Sequence, residues 1–245
     1  MNRLALSLLS FTLIGAPAAA EPTRVMVRAQ SADAKFIGTS MGGVRVVLRD
    51  ARSKKVLAQG IIAGATGDTN RLVIEPRRRG DAGSDAQSAG FEAVLDVAEP
   101  TLVQVEGFGP VAKPGAAITV TSSLWILPGR HVAGDGLILT FPGLVVEPDV
   151  LPGSGGLAVS AKVTLMCGCP LEPGGTWDAA NYTVTARMMK GRAEVARSTL
   201  AFAGKPSQFS GSFPIVPKGE YTLQVTAADR KTINTGVAEK VVRIP

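Results

Sequence analysis

The chain has 245 residues, a formal net charge of +6, 28 glycines, 16 prolines and only 5% aromatic residues. The modest positive charge and the scarcity of aromatic side chains on which bases could stack argue against nucleic-acid binding. Short runs rich in Val, Ile and Thr lie between the glycines and prolines, and none shows sustained helical spacing, so the sequence predicts an all-β fold.

Residues 1–20 have the pattern of a cleavable secretion signal. Arg3 precedes an apolar run from Leu4 to Ile14, and small residues follow up to Ala20. This run is shorter than the roughly 20 helical residues that cross a bilayer, and no later run is long enough, so no transmembrane segment is predicted. We therefore expect a periplasmic or secreted protein.

The remaining length suits two domains of roughly 100 to 125 residues each. In the run Val44–Asp50 apolar residues alternate with others, which is typical of a half-buried strand. Further short runs bounded by Pro or Gly predict that residues 21–146 form an N-terminal β-sandwich. Residues 147–156 contain two prolines and three glycines, and we predict a domain linker there.

Residues 157–245 are predicted to form a second β-sandwich. In its run Gly219 to Ala227, the residues at Tyr221, Leu223 and Val225 alternate with polar side chains. This piece resembles the penultimate strand of bacterial immunoglobulin-like domains, in which a tyrosine near the strand start bonds back to the neighbouring turn. The resemblance covers roughly residues 155 to 245 and implies an immunoglobulin-like architecture only. Leu223 occupies the position of the second cysteine of antibody domains, so packing alone must hold this core.

The most distinctive chemistry lies in Met166-Cys167-Gly168-Cys169-Pro170, which contains both cysteines of the chain. In an extended strand the Cα atoms of residues i and i+2 lie about 7 Å apart, at the limit for a disulfide, but a turn at Gly168 would bring them closer. Three interpretations stay open: a labile local disulfide, a soft-metal site, or small buried cysteines that fill space at a strand end.

For the soft-metal interpretation, the ligands would be Cys167 and Cys169, with the thioether of Met166 as an auxiliary donor. Sulfur donors select soft ions, so the unknown cofactor would be copper(I) or zinc. No other cofactor-binding residues are predicted.

Two further groups are candidates for a contact surface. Trp177 follows the cysteines in a loop, where it either caps the end of the sandwich or offers an exposed indole to a partner. Arg77, Arg78 and Arg79 begin residues 76–90, a polar stretch that we predict to be an exposed loop able to hold a phosphate or carboxylate.

Catalytic residues are not predicted. His131 is the only histidine, and no serine near it has the surroundings of a nucleophile. Loop carboxylates such as Asp135 and Asp178 cannot be placed at working distance from sequence alone. An enzyme is therefore the weakest of the functional hypotheses.

The sequence thus favours an exported, non-enzymatic accessory or binding protein with a Cys-Gly-Cys site for a soft metal or for thiol exchange. Its partner would be another protein or the cell envelope. The alternative is a structural or adhesive β-sandwich module of the envelope that needs no cysteine chemistry.

Overall fold

A computed structural model describes residues 22–153 and 156–244. The predicted secretion signal lies outside these residues. The fold is all-β, as predicted, and within the described residues the helical structure consists of short turns at Thr39–Met41, Asn70–Ile74 and Ala179–Asn181.

Among the described residues, seven strands form the N-terminal half. They are β1 (Pro22–Ser31), β2 (Val44–Asp50), β3 (Val56–Ile62), β4 (Phe91–Asp96), β5 (Thr101–Gly109), β6 (Ile118–Ile126) and β7 (Val132–Phe141). One sheet has the order β4-β1-β7, in which β1 and β7 run parallel, and the other has the order β3-β2-β5-β6. Apolar residues from both sheets form one hydrophobic cluster, so this half is a β-sandwich.

The alternation of buried and exposed residues along β2 explains how this strand is oriented in the sandwich. Val44, Val46 and Leu48 are fully buried, whereas the side chain of Arg45 is exposed. Because successive residues of a strand point to opposite faces, this pattern orients one face of β2 towards the core. The bounds of β2 coincide with those of the predicted strand.

In the part of the C-terminal half that the structure describes, there are also seven strands. They are β8 (Leu144–Gly153), β9 (Gly156–Leu165), β10 (Tyr182–Lys190), β11 (Ala193–Phe202), β12 (Gln208–Phe213), β13 (Gly219–Asp229) and β14 (Thr235–Ile244). Their order is β14-β13-β10-β11-β12-β9-β8, and β11 pairs with both β10 and β12. This order corresponds to the ABED and CFG layers of a constant-type immunoglobulin domain, folded around a second hydrophobic cluster.

The tyrosine that carried the sequence resemblance makes the expected contact. The Tyr221 hydroxyl donates a hydrogen bond to the carbonyl oxygen of Pro217 at 2.7 Å, and Tyr221 is 2% exposed. The strand order and this contact confirm the immunoglobulin-like architecture of the C-terminal half.

The predicted linker at residues 147–156 is wrong. Residues up to Gly153 continue β8, and they pair antiparallel with β9 from Leu144 opposite Leu165 to Gly153 opposite Gly156. The prolines that suggested a linker are tolerated because β8 is the last strand of the sheet, where a missing backbone N–H leaves no broken pair on its outer side. The division into two domains at this point remains a prediction.

The two halves are joined by specific contacts. Ala34, in the loop after β1, belongs to the hydrophobic cluster of the C-terminal half. Asn234 is fully buried, donates from Nδ2 to the carbonyl of Ala32 at 3.0 Å, and accepts at Oδ1 from the backbone of Gly143 at 2.8 Å. Asn234 precedes β14 in the C-terminal half, whereas Ala32 follows β1 in the N-terminal half and Gly143 connects β7 to β8. This buried amide therefore helps to fix the relative position of the two halves, because an unpaired group there would be costly.

Candidate functional site

A tight turn carries the two cysteines. Strand β9 ends at Leu165, and Gly168 adopts a left-handed conformation with φ of 81°. The N–H of Gly168 donates to the carbonyl of Leu165 at 2.8 Å, and the N–H of Leu165 donates to the carbonyl of Cys169 at 3.3 Å. Glycine adopts this conformation without steric cost, so the chain reverses between the cysteines.

The turn brings Cys167 and Cys169 together. Their Cα atoms are 5.5 Å apart, within the range that a disulfide spans, and the two sulfurs are bonded. The side chains are largely enclosed, with Cys167 2% exposed and Cys169 5% exposed. Of the three interpretations drawn from the sequence, the structure has the local disulfide.

The disulfide is part of the lining of a cleft of about 430 Å³ between the two halves. The lining residues from the N-terminal half are Lys35, Ser40, Thr66 and Thr69. Those from the C-terminal half are Cys167, Gly168, Cys169, Pro170, Glu172, Gly175, Thr176 and Trp177. The pair is therefore small in exposed area but adjoins an open cleft.

Met166, the predicted auxiliary donor, lies elsewhere. It is 2% exposed and packs in the hydrophobic cluster of the N-terminal half, where its methyl group lies close to Gly143. The sulfur that does lie beside the turn belongs to Met41, whose Sδ is 2.8 Å from the position that a Cβ on Gly168 would occupy. The physical reason is the alternation of the strand, which turns Met166 away from Cys167.

Trp177 is enclosed rather than exposed. It is 8% exposed and belongs to the C-terminal cluster, and its indole N–H donates to the carbonyl oxygen of Asp33 at 2.9 Å. Of the two sequence alternatives, the cap at the end of the sandwich describes its packing. Because Asp33 belongs to the N-terminal half, this hydrogen bond also joins the two walls of the cleft.

The three arginines are not among the residues that line the cleft. Arg77 approaches Asp135 on β7, with Nη1 3.8 Å from Oδ2, whereas Arg78 and Arg79 are exposed. The stretch 76–90 is less exposed than predicted, because its later part packs against the sandwich and Ala89 is fully buried.

Asp135 on β7 binds the stretch 76–90 through several hydrogen bonds. Its carboxylate accepts hydrogen bonds from the N–H of Gly83 at 2.8 Å, the N–H of Ser84 at 2.8 Å and the hydroxyl of Ser84 at 2.6 Å. Burial alone would raise the pKa of Asp135, but these hydrogen bonds and the charge of Arg77 outweigh burial and hold the pKa below its usual value.

We expect Asp135→Asn to lower the free energy of unfolding by roughly 2 kcal/mol at pH 7, since hydrogen bonds to a charged group contribute about 1.5–3 kcal/mol. A depressed folded-state pKa means that the stabilisation is present above the unfolded value of 3.8 and is lost as the pH falls through the folded value. Urea unfolding of both proteins at pH 7 and at pH 3 measures this, and the difference should shrink in acid.

The matched control is Asp96→Asn, which changes an exposed aspartate on β4. It should leave the free energy of unfolding within about 0.5 kcal/mol of the parent protein. An equal loss from both substitutions would contradict a specific role for Asp135.

His131 accepts a hydrogen bond at Nδ1 from the N–H of Arg24 at 3.2 Å. Among residues 22–153 and 156–244, no three His, Cys, Asp or Glu side chains converge as a metal-binding group. The cysteine pair consequently remains the centre of the candidate site.

Sequence reasoning missed Lys35, Asp33 and Met41. They come from the loops around β1 and β2, more than 120 positions before the cysteines. No motif marks them, because their proximity to the cysteines arises only when the two halves pack.

The fold and this cleft define a protein built of β-sandwich halves, the second immunoglobulin-like, with a disulfide at their junction. No helix among the described residues is long and apolar enough to cross a membrane. No protein family model matches the chain, and no curated protein matches it.

Three solved structures are similar in outline. The chicken interferon gamma receptor alpha chain is 11% identical with a TM-score of 0.36, and the match covers 93% of this chain and 100% of that one. A DUF3823 family protein from Bacteroides uniformis is 16% identical with a TM-score of 0.31, covering 90% of this chain and 99% of that one. Another DUF3823 family protein, from Bacteroides ovatus, is 10% identical with a TM-score of 0.31, covering 89% and 98%. The immunoglobulin-like assignment rests on strand order and on Tyr221, not on these neighbours.

Proposed function

We propose that this is an exported, non-enzymatic binding protein whose Cys167–Cys169 pair exchanges disulfides with a thiol that enters the cleft. The observation that supports the proposal is the bonded sulfur pair in the lining of a cleft of about 430 Å³. A disulfide at such a position is available to an attacking thiolate once the side chains around it move slightly.

The short separation of the cysteines also favours exchange over a purely structural role. A disulfide stabilises a fold mainly by closing a loop in the unfolded chain, and the effect grows with loop length. Here the separation is 2 positions, so the bond removes little conformational freedom. The C-terminal core is already held by packing around residues such as Val163, Leu165 and Leu223, each 0% exposed.

Export is part of the proposal because disulfides persist in oxidising compartments. The secretion pattern of residues 1–20 and the even number of cysteines are the sequence features that support it. Location can be measured by fractionating cells that express the full chain with a C-terminal tag.

Thiol counting tests the exchange site. Protein purified without reductant should show no free thiol under native conditions, and two after a brief treatment with dithiothreitol that leaves the fold intact by circular dichroism. Two free thiols before reduction would overturn the proposal. So would a disulfide that reacts only after the protein is unfolded, because that behaviour belongs to a sealed structural bond.

A second candidate function concerns the reduced protein. Two thiolates from Cys167 and Cys169, with the Met41 thioether beside Gly168, would supply soft donors for copper(I) or zinc. Copper(I) titrated into the reduced protein should bind near one equivalent. Equal binding by the Cys167→Ser, Cys169→Ser double variant would eliminate this candidate. Met41→Leu should weaken this binding, and Met166→Leu is its matched control, because both methionines pack in the N-terminal cluster but Met41 is the one beside Gly168.

The alternative is a structural or adhesive module of the cell envelope. It predicts that the double cysteine variant retains every binding property of the parent protein. Measuring how much of the parent protein and of the double variant associates with the cell envelope distinguishes this alternative from the cysteine-dependent functions.

A further inference from the structure

We infer that the cleft accepts a small thiol that carries both a carboxylate and an ammonium group, such as a glutathione-like peptide thiol. The inference deepens the proposed thiol exchange and depends on it. It rests on three features of the cleft: its size, the hydroxyl-bearing residues in its lining and two charged side chains that form no ion pair among the described residues.

The size suits a small molecule. Pockets that bind small ligands have volumes of roughly 300–1,000 Å³, and the cleft of about 430 Å³ lies towards the lower end of that range. A ligand of a few residues would fill the cleft and bring its sulfur to the disulfide.

The lining is mixed and includes several residues that carry a hydroxyl group. Ser40, Thr66 and Thr69 contribute hydroxyl groups from one wall, and Thr176 contributes another from the opposite wall. Hydroxyls donate and accept hydrogen bonds, so they match the amides of a short peptide better than they match an alkyl chain.

The charges are opposite in sign and come from the two halves. Lys35 is half-buried and Glu172 is exposed, and both line the cleft. Within residues 22–153 and 156–244, neither side chain forms an ion pair with another residue, whereas Lys113, Lys240 and several arginines do. An ammonium and a carboxylate facing the same small space complement a ligand that carries both groups.

The exchange balances without a further reactant. The thiolate of the small thiol attacks one sulfur of the Cys167–Cys169 bond, which breaks as a mixed disulfide forms. The other cysteine leaves as a thiolate and takes a proton from water. A second thiol then attacks the mixed disulfide and releases the small-molecule disulfide, leaving two cysteine thiols on the protein.

The test compares two thiols on the native, oxidised protein. Rate constants for reduction by glutathione and by the uncharged 2-mercaptoethanol are measured at one pH and divided by the thiolate fraction of each thiol. We expect glutathione to react about 3- to 10-fold faster, the effect of one or two solvent-exposed ion pairs. The ratio should fall as salt is added, because such pairs are screened.

Variants that neutralise the two charges show whether Lys35 and Glu172 cause the difference in rate between the two thiols. Lys35→Gln and Glu172→Gln should each lower the ratio, and the double variant should bring it close to one. Lys55→Gln, the same change on an exposed lysine after the β2–β3 turn, should leave it unaltered. A substitution that changes the general reactivity of the disulfide alters both rate constants equally, so it does not change their ratio.

Two outcomes overturn the inference and a third overturns its premise. A ratio near one in the parent protein excludes charge selection. A raised ratio that survives in the double variant shows that other residues cause it. If neither thiol reduces the native disulfide, the proposed exchange function itself fails, and this result is distinct from loss of selectivity.

Discussion

Trp177→Ala should lower the free energy of unfolding by about 3–5 kcal/mol, the usual cost of removing a buried large aromatic side chain. The indole is 8% exposed, packs in the C-terminal cluster and donates to the carbonyl of Asp33 at 2.9 Å. Its loss would leave a cavity and an unpaired carbonyl at the junction of the two halves. Guanidinium chloride unfolding followed by circular dichroism measures the change.

The same substitution should expose the cysteines. Because Trp177 lines the cleft and ties its walls together, we expect faster reduction of the disulfide by dithiothreitol under native conditions. Trp177→Phe is the matched variant, since it keeps much of the aromatic packing and loses the hydrogen bond, and it should cost roughly 1–2 kcal/mol. A loss below about 1 kcal/mol for Trp177→Ala would show that the indole does not hold the junction.

Gly168→Ala should also destabilise the protein, for two separable reasons. The φ of 81° is a left-handed conformation that costs an L-residue about 1–2 kcal/mol. The added Cβ would lie 2.8 Å from the Met41 sulfur, closer than van der Waals contact allows. Overpacking of this kind costs about 1–3 kcal/mol, so a total loss of roughly 2–5 kcal/mol is expected from urea unfolding.

A control and a double variant separate the two contributions. Gly174 has a φ of 69° and open space where its Cβ would lie, so Gly174→Ala should show the backbone cost alone. Gly168→Ala combined with Met41→Ala should lose less than the sum of the single substitutions, because the steric conflict is absent. Strict additivity of the two changes would mean that Met41 does not pack on the turn.

Much of the local structure was predictable because strand alternation is a local property. The burial of Val44, Val46 and Leu48 follows from period two, as does the inward face of β13 at Tyr221 and Leu223. The contact of Tyr221 with Pro217 was also predictable, since the two residues are 4 positions apart. The turn at Gly168 follows from the freedom of glycine and the short spacing of the cysteines.

The predicted linker shows where such reasoning fails. Residues 147–153 are rich in features that interrupt a central strand, yet they form β8 because an edge strand tolerates proline. Composition alone does not distinguish an edge strand from a connection between domains. Residues 147–153 form a strand because they pair with β9, and which strands pair depends on the whole sheet.

The sequence by itself determined the all-β class and the closeness of Cys167 to Cys169, because each depends on residues near one another in the chain. The immunoglobulin-like second half was implied by the resemblance around Tyr221, and the tertiary structure decided the order of its strands. Only the tertiary structure decided that Lys35 and Met41 stand beside that pair, and that Asp33 meets Trp177 across 144 positions. Contacts at such separation arise when two hydrophobic cores form and their loops pack together, so no pattern among neighbouring residues predicts them.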